Sequence, residues 1–141
     1  PHWQSVKACI RQAVDEIPLG GTEMIIDLEN LELYADPLLE KVFYNLIDNA
    51  LRYGGLQLSQ IRITSSLTDS QLVLLVEDDG EGIPVPEKEK IFLHGYGKNT
   101  GMGLFLAREI LAITGLSIHE TGEAGKGARF EITVPDGMYR Y

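Results

Sequence analysis

Apolar residues recur along this chain with two spacings, and the alternation between them outlines the expected elements. In "HWQSVKACIRQAVDEIPLGG", Trp3, Val6, Ile10, Val14 and Ile17 fall three and four residues apart, the signature of an amphipathic helix, which Pro18, Gly20 and Gly21 end. "EMIIDLENLELYAD" follows as two short apolar runs around Glu29 and Asn30 and reads as a strand pair. Asp36 and Pro37 read as the N-cap and first residue of a second helix: the carboxylate accepts an orphan amide, and proline has no amide to leave unpaired.

That second helix, "PLLEKVFYNLIDNALRYG", carries Leu39, Val42, Phe43, Leu46 and Ala50 on one face. Asn45, Asn49 and Arg52 form a polar stripe along its edge, and Gly54 and Gly55 stop it. "QIRITSSLTDSQLVLLVEDDG" switches to period two and reads as two strands joined by a polar turn at residues 68–70. Leu72, Leu74, Val76 and Asp78 then share one face, so Asp78 is the polar end of a buried stripe. A glycine-rich, polar stretch precedes a third helix that begins near Met102, "MGLFLAREILAITG", and this stretch is long for a plain connection. "SIHETGEAGKGARFEITVP" closes the pattern with two strand-like runs around another glycine-rich turn.

Composition narrows the function classes. The 141 residues, 44% hydrophobic and 23% charged, suit a single domain over 1–141, and no repeat or linker divides them. A formal net charge of −9 repels polyanions and argues against nucleic acid as a partner, so an anionic ligand must be held by local geometry. The single cysteine, Cys9, rules out an intrachain disulfide and a cysteine-built zinc site, which fits a reducing, cytoplasmic setting. No apolar run is long enough to span a bilayer, so no membrane contact is expected of this segment. A start at Pro1 rather than methionine suggests a domain of something longer.

Three glycine-bearing stretches, 80–82, 95–103 and 125–127, lie between elements able to pack together. Glycine lets backbone approach a ligand closely, and successive amides at the start of the third helix can meet phosphate oxygens with favourable dipole sign. Asparagine oxygens at positions 45 and 49 can ligate a hard cation such as magnesium, and Arg52 can reach phosphate. The Asp78 carboxylate is open to three roles on this evidence: metal ligand, catalyst or turn former.

In order, "NLIDNALRYG", "VEDDGEGIP", "EKIFLHGYGKN", "TGMGLFLAREIL" and "GKGARFEITVP" resemble the N, G1, F, G2 and G3 boxes of the ATP-binding catalytic domain of sensor histidine kinases, a branch of the Bergerat-fold ATPases. The resemblance implies a two-layer α/β sandwich, with a mixed, mostly antiparallel sheet covered on one face by three helices. It also implies ATP and Mg2+ as ligands. Carried onto this chain, it makes Asp78 the acceptor for the adenine exocyclic amine, with Gly80 and Gly82 giving the purine room and Ile83 opening the lid. It makes Asn49 the magnesium ligand, Asn45 its neighbour at the phosphates, Arg52 a phosphate contact and Tyr53 a ring near the base. Phe92 matches the F-box phenylalanine; Gly101, Met102, Gly103 and Leu104 would supply phosphate-binding amides, and Lys98 and Thr100 are lid candidates for the terminal phosphate.

The family reading also implies partners. The acceptor histidine and its base belong to upstream dimerisation and histidine-phosphotransfer helices, and none of His2, His94 and His119 lies in a resembling box, so no catalytic residue is expected in this chain. The parent is expected to be a homodimer acting through a response regulator. Relatives that hydrolyse ATP, such as DNA gyrase, carry a glutamate four residues before the metal-binding asparagine; here that position is Asn45, which cannot act as a general base. An anti-sigma-factor-type serine kinase and a docking module without catalysis are the alternatives. Departures from the pattern are Asp79 where asparagine is common, Asn99 for the first G2 glycine, Ala128 for a threonine, and a lid of about 20 residues.

Overall fold

The computed structural model describes residues 1–95 and 103–141. Its main layer is a five-stranded sheet in the order β2-β4-β5-β7-β6, formed by β2 (Glu23–Asp27), β4 (Gln60–Thr68), β5 (Gln71–Asp78), β6 (Ser117–Glu120) and β7 (Arg129–Val134). Only β2 and β4 run parallel; the other neighbours are antiparallel. Helix α2 (Leu39–Tyr53) packs between α1 (Val6–Asp15) and α3 (Gly103–Ala112). This is the expected α/β sandwich with a mixed, mostly antiparallel sheet.

The buried face follows the period-two reading. Leu72, Leu74 and Val76 of β5 join Ile61 and Ile63 of β4 and Phe130, Ile132 and Val134 of β7 in one core with the helices. From α2 come Leu39, Val42, Phe43, Leu46 and Ala50, as the helical pattern predicts, and Ile47 besides. Full burial of a side chain such as Phe43 or Leu46 stabilises the fold by roughly 1.5–3 kcal/mol, which is what holds α2 against the sheet. The β4–β5 hairpin turns where expected, with Asp69 and Ser70 both at positive φ.

Three expectations change. Trp3 is not on the first helix: residues 2–5 form strand β1 (His2–Ser5), and Ser5 caps α1, its Oγ accepting from the Ala8 amide at 3.2 Å. A serine cap starts the helix at Val6 and frees the preceding residues to pair. The runs around Glu29 and Asn30 do not pair with each other. β2 joins the main sheet beside β4, whereas β3 (Glu32–Ala35) lies between β1 and β8 (Tyr139–Arg140) in a separate three-stranded sheet. Leu28 and Leu31, both buried, carry the chain from one sheet to the other. Finally, α2 begins at Leu39 rather than Pro37; Asp36 Oδ1 still accepts an amide, that of Leu38 at 2.9 Å, but closes a turn ahead of the helix.

Candidate functional site

Asp78 ends β5 with its side chain at the rim of the core, and the chain on either side of it is tied down. Its Oδ1 accepts from Gly80 N at 2.9 Å and from Ala128 N at 3.1 Å, while its own amide donates to Ala128 O at 3.0 Å. Among the described residues no donor meets Oδ2. Burial pushes the Asp78 carboxyl above the ordinary aspartate range; the two amide bonds pull against that shift, and the charges of Asp79 and Glu120 add to it. Asp78, with one oxygen satisfied and the other without a donor among the described residues, lines an open cleft. Asn49, Ala50, Tyr53 and Gly54 of the α2 end line one side, and Gly82, Ile83 and Ala128 line the other.

The glycines around Asp78 are dictated by neighbouring backbone. A Cβ on Gly80 would come within 2.6 Å of Gly54 Cα and O, and one on Gly82 within 2.9 Å of Glu123 O. Gly82, at φ +76°, lines the cleft; Gly80 instead lets the turn after β5 seat against the end of α2. The loss of a threonine hydroxyl at Ala128 leaves Asp78 held, because the Ala128 amide bonds the carboxylate directly.

The remaining expected residues separate into groups. Asn49, Tyr53, Asp78, Gly82 and Ile83 come together at the cleft. Asn45 sits one turn before Asn49 on α2, against the start of α3: a Cβ on Gly103 would lie 3.3 Å from Asn45 Oδ1. Leu104 points into the core beside Ala107 and Leu111. Arg52 is exposed, its Nε paired with Asp48 Oδ2 at 2.8 Å. Lys98, Asn99, Thr100, Gly101 and Met102 lie outside the described residues. His94 meets Phe105 edge-on at 5.0 Å, and His119 on β6 approaches Glu89 at 3.7 Å.

Asp79 has a structural task. Its Oδ1 accepts from Ser59 N at 2.7 Å and Gln60 N at 3.0 Å, and its Oδ2 from Ser59 Oγ, which anchors the start of β4 to the end of β5. Desolvation pushes the Asp79 carboxyl up, but the hydrogen bonds from Ser59 and Gln60 outweigh it and hold the group below the usual carboxylate range. Asp79→Ala is expected to cost about 1–2 kcal/mol at neutral pH. A group with a depressed folded pKa contributes stability that is present above its unfolded value, about 3.9, and is lost as pH falls through the folded one. Urea titrations of both proteins should therefore differ at pH 7 and draw together as pH falls below about 3.9; equal stability at pH 7 would refute the anchor.

Three contributors were not singled out by the patterns above. Gln57, in the loop after α2, donates to Gly80 O at 2.7 Å and Gly125 O at 3.2 Å. Lys88 and Glu120 form an ion pair in which the Glu120 side chain is wholly buried. Glu120 Oε2 also accepts from Gly122 N at 3.0 Å and Arg129 N at 2.9 Å, and Lys88 donates to Gly122 O at 2.9 Å. The available signal was parity: Glu120 shares the inward side of β6 with Ile118, where a lone carboxylate needs a partner.

Residues 35–138 match the family model described as histidine kinase-, DNA gyrase B-, and HSP90-like ATPase. The chain is 32% identical over 125 residues to the alginate biosynthesis sensor protein KinB of Pseudomonas aeruginosa, covering 85% of this chain and 20% of that protein. It is 36% identical over 139 residues to the sensor protein SrrB of Staphylococcus aureus strain NCTC 8325, covering 92% of this chain and 24% of the relative. It thus spans a quarter or less of the length of these two sensor proteins. The catalytic domain of histidine kinase ThkA, in a nucleotide-free form, superposes with a TM-score of 0.77 at 26% identity over 95% of this chain and 94% of that one.

Proposed function

The chain belongs to the histidine kinase-, DNA gyrase B-, and HSP90-like ATPase family, and on that premise we propose that it is one ATP-binding catalytic domain over residues 1–141, which presents the γ-phosphoryl group of Mg-ATP to a histidine on a partner helical domain. Its likeness to sensor histidine kinases supports ATP-dependent signalling. The observation that carries the nucleotide reading is the state of Asp78: one oxygen accepts from two amides, and the other has no donor among the described residues, at a cleft. An N–H donor on a planar ligand, such as the adenine amine, satisfies it, and the Ile83 and Tyr53 side chains flank that position.

The donor set fits the rest of the ligand. Asn49, at the same cleft, offers a neutral oxygen to magnesium, and Asn45 one turn earlier points the same way along α2 toward the start of α3. Magnesium takes few protein ligands and completes its shell from phosphate and water, so Asn49 would add one oxygen to a shell drawn mainly from the nucleotide and solvent. When bound, the ion neutralises charge on the phosphates. Gly103 and Leu104 open α3, where the helix N-terminus favours anions, and Lys98, Thr100, Gly101 and Met102 directly precede it in the chain. Arg52 is a further phosphate candidate once it leaves Asp48.

With no general base at position 45, the chain's own residues bind and orient while the partner's imidazole nitrogen attacks, its bond to phosphorus replacing that of the departing ADP. The helices that carry this histidine, a homodimeric parent, a cytoplasmic site of action and a downstream response regulator belong to the same proposal. Among the described residues no helix is long and apolar enough to cross a membrane.

Asp78→Asn tests the assignment. It keeps an acceptor for Gly80 and Ala128 but puts an NH2 group where the base's donor would sit, and it should weaken binding of a non-hydrolysable ATP analogue about 10–100-fold. Wild-type affinity in that variant would refute the adenine contact. Mixing the domain with labelled ATP and its upstream helical hairpin should yield acid-labile phosphohistidine; nucleotide binding without it would favour a docking role.

A further inference from the structure

The two amides that saturate Asp78 Oδ1 come from different segments. Gly80 belongs to the turn after β5, and Ala128 to the glycine-rich turn before β7. Aiming both at one oxygen requires that these turns keep a fixed separation. Part of that link is backbone: Gly125 N donates to Glu81 O at 2.6 Å. The side-chain link is Gln57, from a third segment, whose Nε2 meets Gly80 O at 2.7 Å, Gly125 O at 3.2 Å and Asp79 O at 3.4 Å.

We propose that Gln57 is a positioning residue for base recognition: by fastening the Gly80 turn to the Gly125 turn, it keeps both backbone amides on Asp78 Oδ1 and so leaves Oδ2 turned to the cleft for the base. This rests on reading the cleft as an adenine-nucleotide site. Gln57 is exposed and is not among the residues that line the cleft, so it acts on the site through the turns it fastens, which carry the Asp78 amides. The residue type matters because every group it meets is a carbonyl oxygen; only a donor fits there. A carboxylate at the same length would set oxygen against oxygen.

Among the described residues, the groups acting on Asp78 are few. Asp79 beside it and Glu120 from β6 supply charge; α2 brings Asn49 and Tyr53 to the cleft, β4 contributes apolar Ile61 opposite, and the 123–128 segment gives the Ala128 amide. Gln57 meets Asp79 at its backbone carbonyl, 3.4 Å away. Loosening the two amides therefore removes the interactions that favour the ionised carboxyl and leaves burial unopposed, which moves its titration upward.

Gln57→Ala and Gln57→Glu, each compared with wild type, test this. Calorimetric titration with Mg-ADP should show affinity about five-fold weaker in Gln57→Ala, the effect of one hydrogen bond, and ten-fold or more weaker in Gln57→Glu. The Asp78 carboxyl carbon, followed by NMR without nucleotide, should titrate at higher pH in both variants than in wild type. Unchanged affinity in both variants overturns the inference while leaving the nucleotide site intact. Weakened binding with an unmoved Asp78 titration also overturns it, because Gln57 would then support the fold generally. Failure of the wild type to bind Mg-ADP overturns the functional reading itself, and this inference with it.

Discussion

Replacing Glu120 with alanine is expected to destabilise the fold by about 3–5 kcal/mol, measured as a fall in the urea midpoint at unchanged slope. The side chain is wholly buried, and three donors converge on it: Lys88 Nζ and the amides of Gly122 and Arg129. Removing the carboxylate strands an ammonium that is only 19% exposed and leaves two amides unpaired, at Gly122 and at the start of β7, on either side of the turn that holds Asp78. Lys88→Met should lie at the lower end of the same range, since the amides still compensate the carboxylate. The double variant should cost less than the sum of the singles, because each single already breaks the same pair. A Glu120→Ala protein within about 1 kcal/mol of wild type would show that the pair is not a buried anchor. The pair also fastens the segment after Ile83 to β6, so its loss should loosen the root of the expected lid.

Gly127→Ala should be at least as damaging, and a neighbour two residues away supplies the control. Gly127 sits at φ +127°, and a Cβ there would lie 1.9 Å from Asp78 O, a backbone atom with no room to retreat. Alanine at that position is expected to cost more than about 4 kcal/mol, or to displace the turn and with it the Ala128 amide that orients Asp78. Gly125, at φ +86°, has open space around its Cβ position, so alanine there should cost only the left-handed backbone penalty of about 1–2 kcal/mol. Thermal melts of the two variants, with Mg-ADP titrations of those that fold, separate the effects. Similar stability in both would refute the steric argument.

Where local periodicity governed, the sequence was legible. The faces of α2 and β5, the hairpin at Asp69 and Ser70, and the order of the main elements from α2 to β7 all follow from residues close together in the chain. Trp3 and the run after Glu29 misled for a common reason. Both belong to a small sheet, β1-β3-β8, in which β3 joins strands from the two ends of the chain, and pairing between residues 2–5, 32–35 and 139–140 leaves no local signal.

The candidate site divides along the same line. Residue types, read together with the resemblance to the kinase boxes, picked out Asn49, Tyr53, Asp78, Gly82 and Ile83, and these share one cleft. They were legible because a chemical role demands a residue type at a position: an acidic end to a buried strand, an amide on a helix edge, glycine where backbone must turn. Sequence could not tell that Asp79 faces Ser59 rather than the cleft, that Gly80 serves contact with Gly54, that Arg52 pairs with Asp48, or that Gln57, Lys88 and Glu120 bind the turns together. Sequence by itself determined the buried faces of the main helices and strands and the residue types offered at their ends, since periodicity and residue type are local properties. Only the tertiary structure decided how each carboxylate is oriented and what each glycine makes room for, because hydrogen bonds and close contacts between segments dozens of residues apart depend on distances that the linear order does not encode.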